Sequence, residues 1–451
     1  MKNIFVALAT IVLVNTLIVY CEVHRSKVII LGAGISGITA AWTLEKHNIT
    51  DFVVLEAQDY IGGRVKSINF KGVVIETGAN WIHHAHDSDS APLLKLKKQV
   101  NLKGKWSNYS DVVVRSSNGH IKPHNDIMSK FQSILQAATN EKSHENLHSS
   151  FRSRLSRNGW ENNTVLANII EYFYIDFTCS REPDTVSFCH LVNRENDFFV
   201  SDPHGLSSLF QSLYKGFINK IELGRIVNAI TYNDEGVRVY TTNGKTFLAD
   251  YVICTFSSDV ILSNLVAFYP PLPKWKLNAF AKMPLSLYTK IFLKFPYQFW
   301  DEKEYILHES AQRGYFPVFQ NFQIYCTAGL GILLITVTGQ EALRVERQSI
   351  YQTQDQIMVV LRKLYWPEIP EPLGIYYDRW SQNPFTQGAY SEAVLGTTTR
   401  DFQDMVQNVS HLYFAGEATS EKWYGYMQGA FITGRDVAME IVKKINKKSW
   451  S

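Results

Sequence analysis

Cysteine is scarce in this chain, five in 451 residues. Beyond Cys21, only Cys179, Cys189, Cys254 and Cys326 remain, and their spacing suits no zinc site, so no metal is expected. Charge of one sign is scarce too. The 45 Lys and Arg against 42 Asp and Glu leave a formal +3. With no dense basic run, nothing favours a nucleic-acid partner. The pairs Lys443-Lys444 and Lys447-Lys448 read as the solvated end of a helix. After Tyr20 no apolar stretch is long enough to span a membrane. Internal repeats and low-complexity linkers are absent. So is a G-x-S-x-G nucleophile elbow.

What is present begins with an address. Lys2 precedes an apolar run from Ile4 to about Tyr20, with a cleavage position near Cys21 or Glu22. Residues 1–21 therefore read as a signal peptide, with an uncleaved anchor as the other reading of so long a run. Four N-x-[ST] sequons, at Asn48, Asn108, Asn162 and Asn408, suit a secreted glycoprotein with no membrane association once the signal is removed. In that setting a Cys179–Cys189 disulfide is allowed, though spacing alone does not establish it. Cys254, inside an apolar run, reads as a buried thiol. At 451 residues and 45% apolar the chain exceeds one ordinary core, which predicts two domains.

The chemistry starts at Gly32-Ala33-Gly34-Ile35-Ser36-Gly37, set behind the apolar run Val28-Ile29-Ile30-Leu31. A strand ending in G-x-G-x-x-G and running into a helix builds a dinucleotide cradle. Gly32 permits the tight turn, Gly34 a close approach to pyrophosphate, and Gly37 close packing of helix on strand. The free N–H groups of the helix start face the phosphates. A second strand, Phe52-Val53-Val54-Leu55, ends at Glu56, where a ribose-binding carboxylate belongs. Gly62-Gly63-Arg64 follows. Its glycines allow close backbone approach, and Arg64 offers a planar fork for a phosphate.

Further along, the pattern turns polar and helical from about Ser88 to His204. Strand-like alternation returns at Ile226–Tyr232, Val237–Thr241 and Tyr251–Thr255, with hairpin signals at Asn233-Asp234-Glu235-Gly236 and Asn243-Gly244. Strands are expected at Thr289–Lys294 and Gly331–Val337, an amphipathic helix near Gln348–Tyr365, a strand at Leu412–Ala415 and a helix from about Gln428.

Six blocks together resemble the flavin-dependent amine oxidases, and polyamine oxidases above all. They are the nucleotide unit; Gly62-Gly63-Arg64-Val65; Glu76-Thr77-Gly78-Ala79-Asn80-Trp81; Leu287 to Pro296; Arg379-Trp380 with Gly388-Ala389-Tyr390-Ser391; and Tyr413 to Thr419 with Gly425-Tyr426. The resemblance implies an α/β fold: an FAD-binding Rossmann-like domain of GR2 type, interleaved with an α+β substrate domain whose mixed sheet is flanked by helices. Residues 27–95, 205–282 and 396–446 are expected in the first, and 96–204 and 283–395 in the second.

The resemblance also implies roles. Gly78, Ala79, Asn80 and Trp81 would run beneath the flavin. Lys290 would be bridged by water to its N5. Tyr390 and Tyr426 would form an aromatic cage for the amine, reached by the loop carrying Trp380. Gly416 and Glu417 would serve the ribityl or phosphate region, and Val227 the adenine. The helix near Met427-Gln428-Gly429 would aim its N–H groups at the N1–O2 edge. Monoamine oxidases carry Cys where Ala389 stands, so the FAD is expected to be non-covalent. His83 replaces an acid of plant-type secreted relatives and would face the substrate. Glu182, Glu195 and Asp197 are the acids considered for the distal ammonium groups. Thr255-Phe256-Ser257-Ser258 departs from the family's Pro-containing pattern. The small cluster of His83, His84 and His86 lacks the carboxylates of a metal site.

The implied reaction is hydride transfer from a polyamine carbon to flavin N5. Imine hydrolysis then gives aldehyde and amine, and O2 is reduced to H2O2. The single G-x-G-x-x-G, with no nicotinamide unit, suits an oxidase. Alternatives are a secreted L-amino-acid or monoamine oxidase on the same scaffold, or a catalytically silent flavin-binding protein. An amino-acid oxidase would need a buried Arg for the carboxylate.

Overall fold

The computed structural model describes residues 23–84, 91–140, 149–187, 197–325 and 331–448. Strand β1 (Val23–Leu31) runs through the Gly-rich turn into helix α1 (Ile35–Lys46), and β2 (Phe52–Leu55) pairs with β1 in parallel. Side chains alternate between two cores. Val28, Ile30 and Val54 enter one, and Ile29, Leu31, Val53 and Leu55 the other. A sheet covered on both faces needs this unbroken apolar run. β1 begins at Val23, ahead of Lys27, because Val23 to Ser26 already pair with Thr246 to Ala249 of β3 (Thr246–Cys254).

The first sheet has the order Ile221–Glu222, β2, β1, β3, Gly236–Thr241, Val227–Asn233 and Ala267–Tyr269, with Leu412–Phe414 pairing the end of β3. Both hairpin turns lie where the Asn and Gly signals put them. The expected strand at Tyr251–Thr255 is the second half of the longer β3.

The second sheet has the order Gly374–Tyr376, β4 (Tyr288–Lys294), β5 (Ile332–Thr338), Val318–Asn321, Tyr305–Glu309, Val112–Ser116 and Ile121–Lys122. The region expected to be polar and helical therefore also contributes strands: Gly104–Trp106, Val112–Ser116, Ile121–Lys122 and Phe198–Val200. Val112–Ser116 is fixed by parallel pairing with Tyr305–Glu309, a partner far along the chain that local periodicity does not reveal. The helix expected near Gln348 starts at Ile350, because Ser349 and Gln352 form a capping box.

The result is an α/β fold of two mixed sheets flanked by helices. Two packing features position the site. Phe70, Ile75, Trp81 and Phe199 share one core with Phe292, Ile332 and Leu334, which presses the Glu76–Trp81 segment onto one face of β4 and β5. Helix α2 (Met427–Lys448) packs along α1 so closely that a Cβ on Gly434 would lie 2.2 Å from the Ser36 carbonyl oxygen.

Candidate active site

One long cavity gathers most of the residues singled out from the sequence: Gly34, Glu56, Gly63, Arg64, Gly78, Ala79, Asn80, Trp81, His83, Lys290, Trp380, Tyr390, Gly416, Glu417 and Tyr426. Gly32 and Gly37 shape the turn behind it. Gly32 has φ +102°, and a Cβ there would lie 2.6 Å from Thr255 Oγ1. A Cβ on Gly37 would lie 1.9 Å from the Gly32 oxygen. Gly34 has nothing within 4 Å of its Cβ position, so the open side of the turn is the cavity itself.

The Gly62-Gly63-Arg64 turn docks on this loop. Gly62 N–H donates to Ala33 O at 3.0 Å, and Gly63 lies against the Gly34 Cα. Glu56 is buried, and burial raises its pKa. It accepts from Ala33 N–H at 2.7 Å and Gln58 N–H at 2.9 Å. Lone pairs remain for ribose hydroxyls. A dinucleotide fits these donors. Among the described residues Ser36 Oγ, buried at the start of α1, has no partner, α1 has no side-chain N-cap, and Arg64 donates only through Nη1.

Glu417 lines the cavity, and its carboxylate is held within the protein. Oε1 accepts from Arg64 at 2.7 Å and from Ser391 Oγ at 2.8 Å and N–H at 3.2 Å, and Oε2 accepts from Gly425 N–H at 2.6 Å. It braces three chain segments. The Val227 side chain is buried in the core on one face of the first sheet and is not among the residues lining the cavity. The neighbouring Arg225 does reach it indirectly, donating its N–H to Glu56 O at 2.7 Å.

At the other end Lys290 is 4% exposed, on the face of β4 opposite Thr289 and Ile291. Its Nζ donates to Asn80 Oδ1 at 3.0 Å, and Asn80 Nδ2 donates to Val200 O at 3.0 Å. Burial pushes the ammonium pKa down to about 7, against the opposing pull of Glu76 and Asp378. Burial likewise raises Glu76. Thr336, directly opposite on β5, has a buried Oγ1 without a partner. Lys290 keeps at least one donor beyond Asn80 whether charged or neutral, so the polar space beside it suits a bridging water. Gly78 is required here, since a Cβ would lie 1.9 Å from Arg64 O and 3.3 Å from the Trp380 ring.

The aromatic walls are tethered. Tyr390 donates its hydroxyl to Thr178 O at 2.6 Å and accepts from Ser180 Oγ. Burial holds that hydroxyl's pKa well above its usual value. Its ring sits 5.9 Å from Tyr288 and beside Gly425, the residue before Tyr426. Tyr426 meets His83 edge-on at 4.9 Å. His83 Nδ1 lies 3.0 Å from Asp197 Oδ2, which also accepts from Tyr109 at 2.9 Å. Burial alone would raise Asp197, but the His83, Tyr109 and His84 bonds outweigh it and hold the carboxyl below its usual range.

Of the three acids considered for the substrate, Asp197 thus lines the cavity, Glu182 is exposed elsewhere, and Glu195 lies outside the described residues. His86 and Cys189 lie outside them too, and with Cys189 the disulfide question. So does His144-Glu145-Asn146-Leu147-His148, a stretch with H-E-x-x-H spacing. No group of three or more metal-ligating side chains occurs among the described residues.

Sequence reasoning missed Tyr109, Phe177, Tyr288 and Glu392, which also line the cavity. Alternation along β4 was a signal for Tyr288, since it shares a face with Lys290.

The profile of the family described as flavin containing amine oxidoreductase matches residues 35–442. Polyamine oxidase 1 of Zea mays is 32% identical, over 94% of this chain and 91% of that protein. Polyamine oxidase 7 of Oryza sativa subsp. japonica is 33% identical, over 91% of this chain and 93% of that protein. A solved structure of wild-type putrescine oxidase bound to putrescine superposes with a TM-score of 0.77 at 21% identity, covering 94% of this chain and all of the other.

Proposed function

The chain belongs to the flavin containing amine oxidoreductases, and from that membership we propose that it oxidises polyamines in the secretory pathway or outside the cell, with FAD held non-covalently. One observation carries the reading. A single cavity joins a dinucleotide cradle to a buried lysine, two tyrosine walls, of which Tyr390 is tethered through its hydroxyl, and an ionised acid. The substrate class is supported by the relatives named polyamine oxidase, which match along nearly the whole chain.

A flavin held in the cradle supplies the acceptor for a hydride leaving the carbon next to the substrate nitrogen. The residues around it do the rest. The Tyr390 and Tyr426 faces hold the alkyl chain and orient the nitrogen. Lys290, largely neutral above pH 7, positions a water without adding a charge where the substrate turns cationic. Asp197, backed by His83, sets a negative potential that attracts an ammonium group.

Ala389 lines the cavity without a nucleophilic side chain, which supports the non-covalent link. The apolar start and the sequons support export. Asn48 and Asn108 are exposed, whereas the Asn162 and Asn408 amides are engaged within the fold. No described helix is long and apolar enough to cross a membrane.

The test is anaerobic mixing of purified protein with spermine, N-acetylspermine and common amino acids. Loss of the yellow flavin absorbance with the amines is the expected result. Bleaching by leucine or phenylalanine alone would overturn the substrate assignment.

A further inference from the structure

Four carboxylates line the cavity, and they are not alike. Glu56 accepts from two backbone N–H groups. Glu417 has four donors. Asp197 is held by His83, Tyr109 and the His84 N–H. Glu392 is 7% exposed, lines the same cavity, and its carboxyl makes no hydrogen bond or ion pair with any described residue. Its position is nonetheless fixed. The Glu392 N–H donates to Pro284 O at 3.1 Å, and the preceding Tyr390 O accepts from Ser286 N–H at 2.7 Å. Alternation along this extended segment sends Ser391 to Glu417 and leaves Tyr390 and Glu392 on the other side, facing the cavity.

A buried polar group without a partner calls for an explanation, and a buried carboxylate costs most of all. Burial pushes the Glu392 pKa up to about 8, with Arg181 pulling it down and Glu417 pushing it further up. Arg181 offsets part of this cost by charge alone, since it forms no hydrogen bond or ion pair with Glu392 among the described residues. The carboxyl is therefore open to a donor that enters the cavity, and a cationic one would favour its charged form.

We propose that Glu392 binds a second ammonium group of the substrate, apart from the nitrogen held by Tyr390 and Tyr426, and so selects di- and polyamines over monoamines. This deepens the polyamine reading of the same site and rests on it. The test uses the FAD-loaded enzyme and two ligands of one chain length, diaminooctane and octylamine. Each is mixed rapidly without oxygen, and the concentration dependence of the oxidised-flavin spectral shift that precedes any bleaching gives the dissociation constants of wild type, Glu392→Gln and Glu392→Asp. Wild type should prefer the diamine by about tenfold or more, the scale of one charge-assisted hydrogen bond. Glu392→Gln should bring the two ligands level while octylamine affinity, flavin content and thermal midpoint stay as in wild type. Glu392→Asp should keep part of the preference.

An unchanged preference in Glu392→Gln, an equal loss for both ligands, or loss of flavin would overturn the proposal. Because the ratio is read from binding alone, it judges Glu392 even if spermine proves not to be oxidised, a result that would instead remove the polyamine reading.

Discussion

The two ends of the cavity are built on opposite plans. The cofactor end is made of backbone. Gly32, Gly34, Gly37 and Gly63 bring main chain to main chain, and its acids, Glu56 and Glu417, accept hydrogen bonds from the protein. The substrate end is made of side chains from distant segments: His83, Tyr109, Asp197, Tyr288, Lys290, Tyr390 and Tyr426. It also keeps polar atoms in reserve, at Thr336 Oγ1, Glu392 and Lys290 Nζ. Both ends hold polar atoms in reserve, but the cofactor end, with Ser36 Oγ and the spare Arg64 donors, presents them on a frame of packed main chain.

Breaking the first plan should have the largest effect. Gly37→Ala places a methyl 1.9 Å from backbone, where nothing flexible can yield. We expect a cost of roughly 3 kcal/mol or more and protein without FAD. The check is flavin content together with the thermal midpoint, and a yellow protein of normal stability would contradict it. Glu417→Gln follows. Removing a buried charge that pairs with Arg64 should cost on the order of 3 kcal/mol. Differential scanning of the holoenzyme, with FAD affinity measured alongside, reads this loss.

Lys290→Met breaks the second plan and should leave the first intact. Flavin reduction should slow by about a hundredfold with FAD still bound. In wild type the rate should rise as pH passes about 7, since deprotonation removes a charge that opposes a developing cation. That step should vanish in Lys290→Met, and stopped-flow absorbance across pH 6–9 checks both points. Val227→Ala should do least. It empties core space at about 1–2 kcal/mol and leaves FAD affinity within twofold, because the side chain is buried in the core and does not line the cavity. A large loss of affinity would place Val227 at the adenine site.

The same contrast explains what was legible in the sequence. Glycine turns and helix starts are local devices, so Gly32 to Gly37, Glu56 and Gly62-Gly63-Arg64 announced the cofactor end within one short stretch. Lys290 became visible through its family motif, and alternation then gave its face. Glu392, Tyr109 and Phe177 had no such signal, because each matters only through neighbours brought in by tertiary packing. Val112–Ser116 escaped for the same reason, its partner strand being remote. Glu417 was recognised as part of the site but not as a brace, since its donors come from Arg64, Ser391 and Gly425.

The tether on the Tyr390 hydroxyl has a final consequence. With the phenol fastened to Thr178 and Ser180, and held unionised by burial, the ring can neither swing aside nor change its charge. A wall so fixed would favour slim, unbranched chains over bulk beside the nitrogen, and so sort substrates by cross-section.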